Sequence, residues 1–391
     1  MVTGAPTRDR MSVSVSFRSL ALMGTHRLTV QQARRIALRA QLLDAHRPVD
    51  LVHLVEDLTF LAVDPTSAVA PSVDLVAWSR LGNEYWLGAV DDAIADRMLF
   101  QLRGTVRSMA DLPLYLEQMA GWPQNETMRQ WLDDNAGFER DVLALVEAEG
   151  PVLAKDVPDT ARVPFTWGAD GWSSRRSVAE MLEALNMQGK LAMVGRKGRQ
   201  RLWDLAERVY PQVEAVPLDE ALRERVDRRL AAEGIARKRV QGRSGDGVWW
   251  VDLPGEVVQV EGVDGEWRVD PELLERADDE FEPRTALLSP FDAMAADRPR
   301  LLDLFDYEYT LEMYKPKGKR RWGYFALPIL HGERFVGKLD AKADRKENVL
   351  NVFAVHEDLP FDGAIMDAVH AELERLASWL GLGRVDYARD A

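Results

Sequence analysis

The stretch Ser177–Leu205, SVAEMLEALNMQGKLAMVGRKGRQRLWDL, decides how the rest of the chain is read. Its first part, SVAEMLEALNMQG, reads as a helix. LAMVGRKGRQRLWDL then reads as strand, basic glycine-containing turn and strand. The tip of that hairpin carries Arg196, Lys197, Arg199 and Arg201. Upstream, FERDVLALVEAE (138–149) forms an amphipathic helix, followed by Gly150-Pro151 and a short LAKDV segment. Helix, turn, helix and hairpin arriving in this order predict a winged helix-turn-helix unit, with 177–189 as its recognition helix.

The same outline extends in both directions. Residues 1–25 show neither helical nor strand period and are expected to be a disordered leader. Thr29 is placed to cap a helix through VQQARRIALRAQLL, with Ile36, Leu38, Leu42 and Leu43 as its buried stripe. VDLVHLVEDL, the short apolar run FLAVD ending before Pro65, SVDLVAWSRL, a helix near Tyr85–Asp96 and the strand-like MLFQLRGTVRSM complete a first unit. A third copy is weaker: the charged helix LDEALRERVDRRLAAEG, then EVVQVEGVDGEWRVD as a hairpin turning at Asp264-Gly265, then PELLERA. Past Pro283 the texture turns to β, with TLEMYKP, WGYFALPIL, ERFVGKLDAKA and VLNVFAV separated by turns, and a helix over 362–380. The reading is an α+β chain of tandem winged helix-turn-helix domains followed by a β-rich C-terminal domain. Its segments are winged helices over 26–122, 123–215 and 216–282, and the β-rich domain over 283–391.

Composition narrows the function. The chain has 391 residues, 46% of them hydrophobic and 29% charged, an ordinary globular mixture. No apolar run approaches the roughly 20 residues that span a bilayer, and no secretory signal is visible, so a cytoplasmic protein without a membrane partner is expected. The absence of cysteine removes disulfides, thiolate zinc sites and thiol nucleophiles. The six histidines are scattered without metal-ligand spacing, and no GxxxxGK[ST], GxGxxG or GxSxG motif occurs, so neither metal nor cofactor is expected. The net charge of −14 argues against nucleic acid, but Lys315–Lys346 holds ten basic residues against three acids, a local +7. Screening confines each charge to about 8–10 Å, so the local field decides what a polyanion meets.

Several stretches together resemble one family. LLSPFD (287–292), Asp297-Arg298, LFDYEYTLEMYKP, KRRWGYFALPIL and VGKLDAKADRKE are similar to the C-terminal signature of the winged-helix DNA glycosylases that unhook interstrand crosslinks (the YcaQ/AlkZ type). LTVQQARRIALRAQLLD resembles that family's first helix, VDLVAWSRLG the segment after its catalytic motif, and RGTVRSM its Arg-Gly-Thr wing. The resemblance runs from about residue 28 to residue 358. It implies a DNA glycosylase that hydrolyses the N-glycosidic bond of alkylated purines, bulky adducts and crosslinks included, in DNA repair or self-resistance, as a nucleoid-associated protein.

The family's catalytic motif is Gln, an apolar residue, then Asp or Gln at a strand end. Counting back from SRLG places it at Ala62-Val63-Asp64, so Asp64 matches the acidic position while Ala62 stands where the family has Gln. Gln41 and Ser67 are the polar residues that could stand in. An N-alkylated purine already carries positive charge and leaves without a general acid. The enzyme must stabilise an oxocarbenium-like sugar and direct water to it, and one carboxylate does both. The other reading of Asp64 is a cap on the turn before Pro65. No lysine adjoins residues 62–64, which implies a monofunctional hydrolase without Schiff-base chemistry. Lys315, Lys317, Lys319, Arg320 and Arg321, with Arg196, Lys197 and Arg199 of the wing, are candidate contacts to the backbone of double-stranded DNA. Arg103 and Asp292 are motif residues without an assigned role, expected to fix domain packing. Trp78 and Trp322 are candidate stacking surfaces for an unpaired base. No heptad or exposed dimer helix is visible, so a monomer is expected. The alternatives are a noncatalytic winged-helix regulator or damage binder, consistent with Ala62, and an RNA-binding module, which has only the basic cluster behind it.

Overall fold

Thr29 sets the first helix. Its hydroxyl accepts the Gln32 N–H at 3.1 Å while Gln32 Oε1 accepts the Thr29 N–H at 2.8 Å, and this reciprocal cap starts α1 (Val30–Ala40) directly after β1 (His26–Leu28). The computed structural model describes residues 26–165, 177–241 and 250–388.

The first winged helix is built from α2 (Leu51–Leu58), β2 (Leu61–Ala62), α3 (Ser72–Leu81), α4 (Ala89–Ala95), β3 (Leu99–Leu102) and β4 (Thr105–Ser108), with strand order β2-β4-β3. Arg103, at φ 50°, makes the turn between its two wing strands. Helices α5 (Pro113–Ala120) and α6 (Glu126–Asp134) lead to the second unit: α7 (Ala136–Glu149), β5 (Val152–Leu153), α8 (Ser177–Met187), β6 (Leu191–Lys197) and β7 (Gln200–Leu205), ordered β5-β7-β6. Gly198, at φ 63°, turns its hairpin. The short helix α9 (Ala206–Val209) follows.

The third unit departs from expectation. It contains α10 (Leu218–Glu233), β8 (Ile235–Arg237), a small antiparallel pair β9 (Arg239–Gln241) and β10 (Trp250–Asp252), then β11 (Glu256–Val260) and β12 (Val263–Val269). Between β8 and β11 the described residues hold a strand pair where a winged helix has two helices. The missing apolar face is supplied from the start of the chain. β1 pairs in parallel with β11 to give the order β1-β11-β12-β8, and Ile36, Ala37 and Leu38 of α1 share a core with Ile235, Val258 and Trp267. The first helix thus belongs to the third unit, not to the winged helix that follows it in sequence. The β11–β12 turn is Glu261-Gly262, with Gly262 at φ 74°, rather than Asp264-Gly265. Gly265 lies inside β12, where its missing side chain admits the Arg237 guanidinium, which donates to the Asp264 carbonyl.

After α11 (Pro271–Glu275), the C-terminal sheet is built from β13 (Thr285–Leu287), β14 (Leu327–His331), β15 (Arg334–Asp344), β16 (Val349–Glu357) and β17 (Arg384–Tyr387), in that order. Helices α12 (Ala293–Ala296) and α13 (Arg298–Phe305) follow β13, and α14 (Gly363–Trp379) precedes β17. TLEMYKP is irregular rather than a strand, for a reason given below. Because successive strand residues point to opposite faces, this sheet divides two cores. Leu287, Ile329 and Val336 face α14 and the winged helices, while Ala286, Leu330 and Phe335 face α1, α13 and the third unit. Between the two sides Arg80 of α3 and Asp292, both fully buried, form a bidentate ion pair, and Asp292 also caps α12 through the Met294 N–H at 2.9 Å. Among the described residues no helix is long and apolar enough to cross a membrane.

Candidate active site and DNA-facing cleft

Strand β2 ends at Ala62, and the chain then turns through Asp64 into α3. Three hydrogen bonds fix that turn. The Val63 N–H donates to the Gly104 carbonyl at 2.9 Å, the Asp64 N–H donates to Ser72 Oγ at 3.0 Å, and the Ser72 hydroxyl donates to the Ala62 carbonyl at 2.7 Å. Ser72, the first residue of α3, therefore clamps both ends of the Ala-Val-Asp segment. Asp64 Oδ1 accepts the Thr66 N–H at 2.8 Å, while Oδ2 has no partner among the described residues. One oxygen caps the turn and the other remains available to a ligand, so the two readings of Asp64 use different atoms.

The residues after Asp64 form one wall of an open cleft of about 670 Å³. Pro65, Thr66, Ser67 and Ala68 line that wall; Lys317, Arg320, Tyr324, Asp340, Lys342 and Phe353 line the other. The walls are tied at one end by the Ala343 N–H, which donates to the Ala68 carbonyl at 3.1 Å. The cleft thus sets basic and aromatic side chains beside the segment that follows an available carboxylate.

The basic loop is shaped by Glu312, which is why TLEMYKP forms no strand. Its carboxylate accepts the Arg321 and Trp322 N–H groups at 2.6 and 2.8 Å and Lys315 Nζ at 2.7 Å. Desolvation opposes the charge, but the Lys315 ammonium and the two backbone donors outweigh it and hold the Glu312 carboxyl below its usual range. The loop presents Lys317, Lys319 and Arg321 to solvent, with Arg320 half-buried and its guanidinium 5.0 Å from the Tyr324 ring centre. The +7 stretch does not act as one patch. Lys338 is fully buried against Asp358 at 2.6 Å, between Tyr307 and Trp322. Arg334 begins β15, whose eight steps to Lys342 span about 26 Å at 3.3 Å each.

Other expected residues lie elsewhere. Gln41 is buried, and its amide donates to the Ala232 carbonyl at 2.5 Å, so it does not replace the Gln absent at 62. Ser67 does line the cleft. Trp78 and Trp322 are both buried and offer no stacking surface: Trp78 stacks on Trp379 at 5.3 Å, and Trp322 covers Lys338. In the second wing Lys197 and Arg199 are exposed, whereas Arg196 turns inward to Asp91 of α4 at 2.8 Å. Arg103 also faces protein. Its N–H donates to Asn186 of α8 at 3.3 Å, and its charge lies near Glu180, whose carboxyl is raised by burial against that attraction. Thr66 and Ser72 escape sequence reasoning; the one available signal is that Ser72 opens the helix eight residues after Asp64.

The model of the AlkZ-like DNA glycosylase family matches residues 55–379, well over half of the chain. The chain belongs to this family. Among solved structures it is similar to the Streptomyces sahachiroi DNA glycosylase AlkZ, with a TM-score of 0.57 and 16% identity over 93% of this chain and 100% of that one. At that identity the likeness is one of fold.

Proposed function

We propose that this chain is a monofunctional DNA glycosylase that hydrolyses the N-glycosidic bond of N-alkylated purines in double-stranded DNA, bulky adducts and crosslinks included, and works as a monomer. The observation that carries the proposal is Asp64: one oxygen fixes its own turn, the other is available, and the next four residues line the basic cleft. In this reading Asp64 Oδ2 opposes the positive charge growing on the sugar and accepts the proton of the attacking water, and the cationic base leaves without a proton donor. Lys317, Arg320 and Lys342 hold the phosphates beside the lesion, with Lys315, Lys319 and Arg321 at the rim. Lys197 and Arg199 make an outer contact. Ser72 holds the Ala-Val-Asp segment in shape where the usual glutamine side chain is absent. A cleft of about 670 Å³ leaves room for bulky adducts.

Ala62 favours one other reading, a damage binder without catalysis. Single-turnover incubation with N7-methylguanine duplex, scored as alkali-labile abasic sites, separates the two. The glycosylase reading expects cleavage by the wild type that collapses in Asp64→Asn. Cleavage only by Ala62→Gln identifies a glycosylase fold that has lost its water-orienting group. Silence from all three, with salt-sensitive duplex binding intact, establishes the damage binder.

A further inference from the structure

The sheet wall of the cleft contains an irregularity that the hydrolytic reading does not use. Strands β15 and β16 pair Asp340 with Ala354 and then Ala341 with Val352, so Phe353 is an extra residue at a β-bulge. A bulge re-aims a side chain and is enriched beside functional sites. Here Phe353 is 51% exposed and Tyr324 41% exposed, both lining the cleft. Asp340 lies opposite the bulge. It is the one carboxylate among the described lining residues, and it forms no ion pair among the described residues. Gly323 makes room for it: a Cβ at that position would collide with the Asp340 carboxylate, and φ is +109°. Burial pushes the Asp340 carboxyl up, against the attraction of His356 and Arg320 and the backbone N–H of Tyr324. Arg320 does not close on it, since its Nε donates to the Lys315 carbonyl at 2.9 Å.

A part-buried carboxylate with no ion-pair partner among the described residues, set beside the exposed Phe353 ring and a Tyr324 ring that Arg320 meets at 5.0 Å, is matched by a flat ring that carries positive charge. We propose that Asp340, Phe353 and Tyr324 form a subsite for a cationic heteroaromatic ring, the N-alkylated base itself. This inference rests on the alkylpurine reading above and adds the group that tells a charged base from a neutral one. Phe353 and Tyr324 supply stacking to either ring, and Asp340 supplies attraction to the cation alone.

The test uses the full-length protein and two N9-capped bases, 7,9-dimethyladeninium, which has no ring N–H to lose and stays cationic at neutral pH, and the neutral 9-methyladenine, with binding measured by equilibrium dialysis. Wild type is expected to bind the cation about tenfold more tightly. Asp340→Asn, nearly isosteric and checked by its melting temperature, is expected to bind both rings alike. Phe353→Leu is expected to weaken both and keep the preference. Wild type that binds neither ring, or both equally, overturns the subsite, as does a preference that survives in Asp340→Asn. Excision of N7-methylguanine from duplex is scored in parallel. Excision without a cation preference removes the subsite and leaves the glycosylase reading standing, whereas preference without excision removes the activity and leaves the subsite.

Discussion

The recognition helices of the winged units and the cleft beside Asp64 differ in what they offer a polyanion. Helix α4 carries Asp91 and Asp92, and Asp91 is paired to Arg196 of the second wing. Helix α8 carries Glu180 and Glu183, the first near Arg103 and the second paired to Arg201. The surfaces that usually enter a groove are therefore acidic, and Asp91 and Glu180 face basic residues of the other winged unit while Glu183 is paired within its own. The cleft gathers Lys317, Arg320 and Lys342 around two exposed aromatic rings. The winged-helix fold is kept, but the acids on these helices meet basic residues of the protein itself, and the basic side chains of the cleft lie on a loop and on the central strand of the C-terminal sheet.

The largest effect is expected in the scaffold itself. Asp292→Ala leaves Arg80 buried without its carboxylate, facing Arg284, whose guanidinium burial and the nearby Arg47 and Arg80 already push down to about 9. Breaking such a pair costs about 3–5 kcal/mol. Thermal unfolding should show a large fall in Tm, and an unchanged Tm would remove the pair from the junction between the two cores. Next comes Asp64→Asn. Loss of a preorganised charge at the reacting centre slows chemistry by about 10²–10³-fold. Single-turnover rates should fall by that factor with duplex affinity unchanged, whereas an equal loss of affinity would mean that Asp64 only shapes the loop.

The cleft comes third. Alanine at Lys317, Arg320 and Lys342 together should weaken duplex binding and flatten the dependence of log K on log salt by about 0.9 for each phosphate left without its cation. An unchanged slope would place the DNA elsewhere. Glu312→Gln should act on the same surface indirectly, by loosening the loop that presents Lys317 and Arg320. The folded-state pKa of Glu312 is depressed, so its contribution is complete above the ordinary carboxylate range and fades as the pH drops through the folded value. In wild type, the Glu312 contribution to duplex affinity should therefore be full and independent of pH near neutrality, and the loop-ordering component should be lost only in acid. The Gln variant should lack that component at every pH, which measuring affinity across pH at fixed salt would show.

Much of this is legible in sequence because it is local. The Thr29 cap, the 177–205 helix and hairpin, and the strand before Asp64 are each set by neighbours within a few residues. What sequence misassigns depends on partners distant along the chain. Order along the chain groups α1 with the helix that follows it, but its apolar stripe is completed by residues some 200 positions later. Trp78 and Trp322 have the composition of a stacking surface, and burial against Trp379 and Lys338 decides otherwise. The basic run looks like one patch when charge is counted along the sequence, whereas β15 carries its two ends apart and buries Lys338 in between. The bulge at Phe353 has no sequence signature at all, since VLNVFAV reads as an unbroken strand.

The smallest effect is expected at the tip of the second wing. Lys197 and Arg199 are exposed at the tip of the second wing, and a wing tip is where related architectures touch a neighbouring groove. Their hairpin is anchored through Arg196 to α4, so any DNA contact they make is fixed relative to the first winged unit and lies at the rim of the bound duplex. Lys197→Ala with Arg199→Ala should then flatten the salt dependence by at most about 0.9, the equivalent of one phosphate, and leave the excision rate of bound substrate unaltered. An effect as large as that of the three cleft residues would mean that the wing still reads DNA. The acidic faces of α4 and α8 would then bound a second binding surface rather than seal a scaffold.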